Sequence, residues 1–131
     1  MHPIKILGLI LVMGLASACG KDYEMKLGAC NTSGGVCIDY SFTGNLTSDP
    51  TADATALVTL ACTSEGGTFS TDGTCDRASA VGYCTITQAQ VKDTESFELK
   101  GIMVFSSSTF NTSLAESTCS GSQGTFSATA P

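Results

Sequence analysis

Residues 61–84, ACTSEGGTFSTDGTCDRASAVGYC, hold three of the seven cysteines in this chain of 131 residues. The segment that starts at Cys62 reads CTSEGGTFS, and the segment that starts at Cys119 reads CSGSQGTFS. Both follow the spacing Cys-x4-Gly-Thr-Phe-Ser. Because a spacing that recurs within one chain indicates an internal repeat, we interpret this stretch as the seam between two copies of one unit.

The starts of the two units match as well. GAC ending at Cys30 and GVC ending at Cys37 open the first unit, and GTC ending at Cys75 and GYC ending at Cys84 open the second. We therefore predict a single domain over residues 30–131, made of two repeats at 30–72 and 73–131. Its cysteines form two ordered triplets, Cys30, Cys37 and Cys62 in the first repeat and Cys75, Cys84 and Cys119 in the second.

Residues 1–18 have the pattern of a signal peptide. Lys5 gives a basic start, residues 6–15 (ILGLILVMGL) form an apolar core, and residues 16–18 (ASA) form a small-residue cleavage site. The apolar run is too short for a transmembrane helix. The chain is therefore predicted to be exported.

Cys19 directly follows these small residues, and this arrangement resembles the lipobox of bacterial lipoproteins. In that family the cysteine thiol is diacylated, the leader is removed and the new N-terminus is acylated, with chains such as palmitate. Seven cysteines would leave one odd thiol in an exported chain, whereas lipid on Cys19 leaves six that can pair completely. We expect residues 19–29 to be a lipidated tether. The alternative is ordinary secretion, because residues 16–18 also suit a general signal peptidase.

The charge of the chain restricts its partners. The formal net charge is −6, and loss of Lys5 with the leader makes the mature part more acidic. This charge argues against nucleic acid and against electrostatic docking on anionic lipid. We expect the lipid to be the only membrane contact, at the bacterial outer membrane or cell surface, with a secreted or periplasmic location as the alternative. A protein or glycan partner stays open.

The hydrophobic patterns predict an α+β fold. We predict an antiparallel sheet with two helices on one face, in a two-copy repeat stapled by disulfides. The first helix begins after Pro50, with an apolar stripe of Ala54, Leu57, Val58, Ala61 and Cys62. The second helix covers residues 112–119, and its cap is either Asn111 or Ser113 with Glu116 as a capping box. The predicted strands are 36–42, 68–70, 81–87, 97–106 and 124–128, and the polar residues 88–95 form the turn of a hairpin added to the second repeat.

The six remaining cysteines are predicted to form disulfides. Their spacings are not those of zinc knuckles, and disulfides are usual in small exported domains. Six cysteines allow fifteen sets of disulfide pairs, and the sequence alone does not select one of them. The repeat suggests one set: Cys37–Cys62, Cys84–Cys119 and Cys30–Cys75.

Catalytic chemistry has little support in the sequence. The only histidine, His2, lies in the leader, which removes Ser-His and Cys-His nucleophilic pairs from the mature chain. Asp49 and Asp53 suit the start of a helix, and residues 72–76 suit a turn better than a calcium loop. We expect Arg77 to pair with the adjacent Asp76 on the surface. No cofactor or metal is predicted.

The motifs together resemble a group of small cysteine-rich lipoproteins from spirochaetes such as Leptospira and from delta-proteobacteria. Where that group often has proline after the third of these cysteines, this chain has Asp76. The resemblance covers most of the mature chain and implies an architecture but no activity. We expect a non-enzymatic, lipid-anchored envelope protein with a binding or structural role. The alternatives are a small inhibitor or carbohydrate-binding module that uses an exposed loop at 88–95, and an enzyme that uses carboxylates. The matching residues are Cys62, Gly66, Gly67, Thr68, Phe69, Cys75, Val81, Gly82, Cys84, Cys119, Gly124, Thr125 and Phe126.

Overall fold

The computed structural model describes residues 20–92 and 95–131. The predicted signal peptide and the lipidation site Cys19 lie outside the described residues. The elements in chain order are β1 (Lys21–Asn31), β2 (Val36–Leu46), α1 (Thr51–Ser64), β3 (Thr68–Thr71), β4 (Ala80–Lys92), β5 (Glu95–Ser106), α2 (Thr112–Gly121) and β6 (Thr125–Ser127).

The strands form one antiparallel sheet in the order β3-β1-β2-β5-β4-β6. Each half of the chain runs strand, strand, helix, strand. In each half the short last strand pairs with the outer side of the first strand, β3 with β1 and β6 with β4. Counted inward from either edge of the sheet, the order is therefore the last, the first and then the second strand of one half. The predicted α+β class and antiparallel sheet are confirmed.

Both helices pack on the same face of the sheet. Phe42 of β2 packs in one apolar cluster with Val58 of α1, and Val36 of β2 packs in another with Ala115 of α2. Because Val36 and Phe42 are six residues apart on one strand, their side chains project to the same side. This side is called the helix face below. The prediction that two helices share one face is confirmed.

The buried stripe of α1 is narrower than the sequence pattern predicts. Ala54, Val58 and Cys62 are buried at every fourth position. Leu57 is 40% exposed and Ala61 is exposed as well, so the prediction that these two residues belong to the core is wrong. They lie on the flank of the helix, where no other element covers them among the described residues.

The helix starts follow their sequences. The side chain of Asn111 accepts a hydrogen bond of 2.8 Å from the backbone N–H of Leu114, which confirms the predicted cap of α2. At α1, the carboxylate of Asp49 accepts a hydrogen bond of 2.9 Å from the backbone N–H of Thr51. Such bonds satisfy N–H groups that have no partner within the helix.

Two segments predicted to be irregular are strands. Residues 21–29, predicted as a tether, belong to β1 and pair with β2. Residues 88–92, predicted as part of a turn, continue β4 and pair with β5. Because β1 and β2 already form a hairpin of two 11-residue strands, the hairpin is also not an addition confined to the second half.

The six described cysteines form three disulfides, Cys30–Cys62, Cys37–Cys75 and Cys84–Cys119. The predicted pair Cys84–Cys119 is confirmed. The other two predicted pairs are wrong, because Cys30 and Cys37 have exchanged partners. The physical reason is β1, which places Cys30 beside β3 and the end of α1.

The glycine of the repeated Cys-x4-Gly-Thr-Phe-Ser spacing has a steric role. A Cβ atom on Gly67 would lie 2.6 Å from the sulfur of Cys30, and one on Gly124 would lie 2.2 Å from the sulfur of Cys84. No side chain fits at such distances. Glycine therefore lets the chain leave each helix directly over the disulfide that ties the helix to the sheet.

Candidate binding groove

A groove of about 670 Å³ lies on the helix face, between the two helices. α1 packs on β1 and β3, whereas α2 packs on β4 and β6. The middle of the central pair, β2 and β5, and the second half of β4 lie between the two helices, where Ile38, Tyr40 and Met103 are only half-buried. We call this space the central groove.

The floor of the central groove is apolar. Ile38 of β2 lies directly opposite Met103 of β5, and Leu57 of α1 forms part of one wall. An apolar concavity that is open to solvent is a usual property of ligand sites. The other floor residues are Tyr40, Ile86, Leu99 and Gly101.

The rim of the central groove is polar and carries one sign of charge. Gln88 and Gln90 of β4 line its open side. The residues that end the two helices, Glu65 after α1 and Ser122 after α2, also line it. Among the lining residues, Glu65 is the only one with a charged side chain at neutral pH. Because the C-terminal end of a helix carries partial negative charge, the rim favours cations over anions.

Tyr40 contributes a hydroxyl group to this apolar surface. Its ring is partly buried, with its centroid 6.5 Å from that of Phe69. Burial raises the pKa of Tyr40, and the negative charge of Glu65 raises it further. The hydroxyl therefore keeps its proton at neutral pH and can donate or accept a hydrogen bond.

The opposite face of the sheet is partly covered by the connection from β3 to β4. Residues 72–79 cross this face, and we call them the crossover. The disulfide Cys37–Cys75 ties the crossover to β2. Beside it, the backbone N–H of Cys75 donates a hydrogen bond of 2.9 Å to Oδ1 of the buried Asp39.

Arg77 completes the attachment of the crossover. Its Nη2 atom lies 2.7 Å from Oδ2 of Asp39, an oxygen that accepts no well-directed hydrogen bond among the described residues. The guanidinium charge therefore compensates the second oxygen of this carboxylate. The prediction that Arg77 pairs with Asp76 is wrong, because Asp76 accepts a hydrogen bond from the backbone N–H of Ala78 instead.

A second, shallower concavity of about 500 Å³ lies on the crossover face. It is lined by side chains of both charges, including Glu24, Lys26, Arg77 and Lys100. Lys26 and Lys100 flank Ser41 on neighbouring strands. Because Arg77 pairs with Asp39, the charges left on this surface are those of Glu24, Lys26 and Lys100, which favour neither sign strongly.

The remaining predicted site residues lie away from the central groove. Asp49 and Asp53 are at the start of α1. The pKa of Asp49 is lowered by hydrogen bonds from the side chain and the backbone of Thr51, and by the charge of Lys21. Within residues 20–92 and 95–131, no cluster of three or more His, Cys, Asp or Glu side chains could hold a metal ion.

The predicted binding loop at 88–95 does not have the expected form. Gln88 and Gln90 are strand residues, and they reach the groove because side chains on one strand alternate between faces.

None of the helices in the described part of the chain is long and apolar enough to cross a membrane.

No protein-family model, no curated protein and no solved structure matches this chain. The features of the chain that bear on function are therefore the geometry of the central groove and the predicted lipidation site.

Proposed function

We propose that this protein is an exported, lipid-anchored envelope protein that binds a ligand in the central groove and carries out no catalysis. The single observation that supports a binding role is the groove itself, an open apolar floor with a polar rim. The floor lies on a sheet that three disulfides tie to both helices and to the crossover. Such a scaffold presents a preformed site.

The proposed ligand has an apolar body and a neutral or positively charged head. The floor, centred on Ile38 and Met103, gains free energy from covering apolar surface, at about 25 cal/mol per Å². The carboxylate of Glu65 and the ends of both helices disfavour an anionic head. Tyr40, Gln88 and Gln90 supply hydrogen-bonding groups that orient the polar end.

The groove is tested with three amphiphiles that share a dodecyl chain, each kept below its micelle concentration. We expect dodecylammonium to bind more tightly than dodecyl maltoside, and dodecyl sulfate to bind least, by calorimetry and by NMR shifts. Leu57→Arg should abolish binding. Leu60→Arg is the matched control, because Leu60 is on the same helix and 69% exposed but does not line the groove. Equal binding by the two variants would exclude the groove.

The anchor is tested separately. In a bacterial host fed a palmitate analogue, the wild-type protein should take up label and fractionate with membranes. Cys19→Ala should do neither, while Ser17→Ala, its neighbouring control, should behave as wild type. Protease treatment of intact cells then distinguishes the cell surface from an inner location. A membrane-bound Cys19→Ala protein would disprove the lipid anchor.

We also infer that the two halves are copies of one unit. The support is a row of residues that pair side by side across all six strands. Phe69 and Cys30 are the last two residues at one end of this row, and Phe126 and Cys84 are the last two at the other. In an experimental structure, the Cα atoms of Cys30, Cys62 and Phe69 should superpose on those of Cys84, Cys119 and Phe126. A poor fit of these six atoms would reject the duplication.

A further inference from the structure

One edge of the sheet is open along β4. This strand pairs with β6 only at residues 83–85. Beyond Thr85, from residue 86 to residue 92, none of the described residues pairs with its outer side. An open strand edge presents unpaired N–H and C=O groups and is a template for pairing with another chain.

This edge lacks the usual protection against pairing. Residues 86–91 read ITQAQV and contain no charged residue and no proline. Val91 is 73% exposed. The open part of the opposite edge is different, because residues 21–26 of β1 read KDYEMK and carry four charges. Charged side chains are how proteins commonly block edge pairing, so the open part of β1 is protected against pairing and the open part of β4 is not.

The same residues also leave the central groove open. α1 walls the groove on one side, whereas Gln88 and Gln90 of β4 form its margin on the other. In the described part of the chain, no element lies beyond β4 at these positions. Two independent features, an unpaired backbone edge and an unwalled groove, therefore coincide in one strand segment.

We propose that a second copy of this chain pairs with residues 87–91 in antiparallel fashion and joins two central grooves into one trough. Two identical antiparallel strands are related by a two-fold axis, so one surface serves both copies. Residues directly opposite each other in such a pair project to the same face, so all four helices lie on one side. Each copy then contributes Gln88 and Gln90 to the shared site.

The register is limited by β6. A Cβ atom on Gly124 would lie 3.0 Å from a side-chain carbon of Ile86, so the position beside Ile86 is already occupied. A two-fold axis near Ala89 confines the pairing to residues that follow Ile86 in the chain. It places Thr87 of one copy opposite Val91 of the other, a pair of β-branched residues that suits adjacent strands. The uncharged edge has no like charges to oppose each other.

The test uses charge reversal across the seam. Thr87→Lys with Val91→Lys places lysines opposite each other, whereas Thr87→Lys with Val91→Glu places opposite charges there. We expect the wild-type protein, purified in detergent, to be dimeric by native mass spectrometry and analytical ultracentrifugation. The double-lysine variant should weaken the dimer at least tenfold, and the lysine–glutamate variant should retain it. Glu24→Lys on the β1 edge is the control and should not change the dimer.

A second measurement keeps the test independent of detergent. Single cysteines are placed in turn at residues 87–91, and each variant is oxidised in membranes after its three native disulfides are confirmed by mass. Intermolecular linkage should peak at residue 89 and fall on both sides. A monomeric wild-type protein without linkage at any position would overturn the proposal. Equal dimerisation by the two charge variants would do the same.

Discussion

Ile38 lies directly opposite Met103 at the centre of the sheet, and each of them has a half-cystine on its other side. Cys30 of β1 pairs with Ile38, and Cys84 of β4 pairs with Met103. The row across these four strands therefore has two apolar side chains in the groove floor and a disulfide to a helix end at either side. Each helix end is therefore tied covalently to a strand that borders the groove floor.

The disulfide between Cys37 and Cys75 holds the crossover on its face of the sheet. Cys37→Ser with Cys75→Ser should lower the free energy of unfolding by about 2–5 kcal/mol in urea titrations. Hydrogen exchange should rise most in residues 72–79, which lose their local attachment, and should rise in the β4–β5 ladder only as far as the loss of global stability requires. Equal acceleration in both places would mean that the disulfide stabilises the whole sheet and not the crossover alone.

The ion pair between Arg77 and Asp39 is predicted to stabilise the fold because the carboxylate is buried. Arg77→Met should cost about 1–3 kcal/mol, since it leaves Oδ2 without a compensating charge. Asp39→Asn in the Arg77→Met background should cost less than the sum of the two single changes, as measured in a double-mutant cycle. Lys100→Met, on the same face, is the control and should be near neutral.

The end of α2 carries removable backbone strain. Gln123 has a φ of 60°, in the left-handed region, where the matching position after α1 is Gly66 with a φ of 75°. Gln123→Gly should therefore raise stability by about 1 kcal/mol in thermal or urea unfolding. Gly66→Gln is the reciprocal control and should lower stability by a similar amount. A destabilised Gln123→Gly protein would contradict the strain argument.

Tyr40 predicts a dependence of stability on alkaline pH. Its pKa is raised above the ordinary value of 10.0 by burial and by Glu65, so the folded state holds the phenol proton more tightly than the unfolded state. The resulting stability is fully present below pH 10 and is lost as pH rises through the folded pKa. Melting curves measured at a series of pH values from neutral to alkaline should show this loss of stability in the wild-type protein and not in Tyr40→Phe. Tyr23→Phe is the control and should leave the loss in place.

The repeated spacing allowed part of the fold to be predicted from sequence. Cys62 and Cys119 lie in the last turns of their helices, and the glycine and phenylalanine that follow lead into short strands, as the pattern indicated. These features depend on neighbouring residues, which is why they could be predicted.

The disulfide partners of Cys30 and Cys37 depend on β1, and this strand was not predicted from the sequence. A signal for this strand is present, because Tyr23, Met25 and Leu27 alternate with charged residues. With β1 in place, Cys30 corresponds to Cys84, since each lies on the first strand of its half. The predicted match of Cys30 with Cys75 therefore aligned two residues that are not equivalent in the two halves.

The central groove had no sequence signal. Leu57 belongs to the apolar stripe of α1 by spacing, and only the placement of α2 over β4 and β6 leaves Leu57 beside an open space. The sequence predicts a turn at Gln88 and Gln90, because an uncovered strand end has no apolar alternation that would indicate a strand. Both depend on contacts between distant parts of the chain.

The three disulfides divide the described chain into two covalently closed pieces. Cys30–Cys62 and Cys37–Cys75 overlap and enclose residues 30–75, and Cys84–Cys119 encloses residues 84–119. One cut within either piece leaves a single molecule. A cut at the peptide bond after Arg77 yields two fragments that only the non-covalent contacts between the halves, chiefly the β2–β5 ladder, hold together. Each fragment keeps its own oxidised cysteines, so the two can be separated, mixed and recombined without any exchange of sulfur bonds.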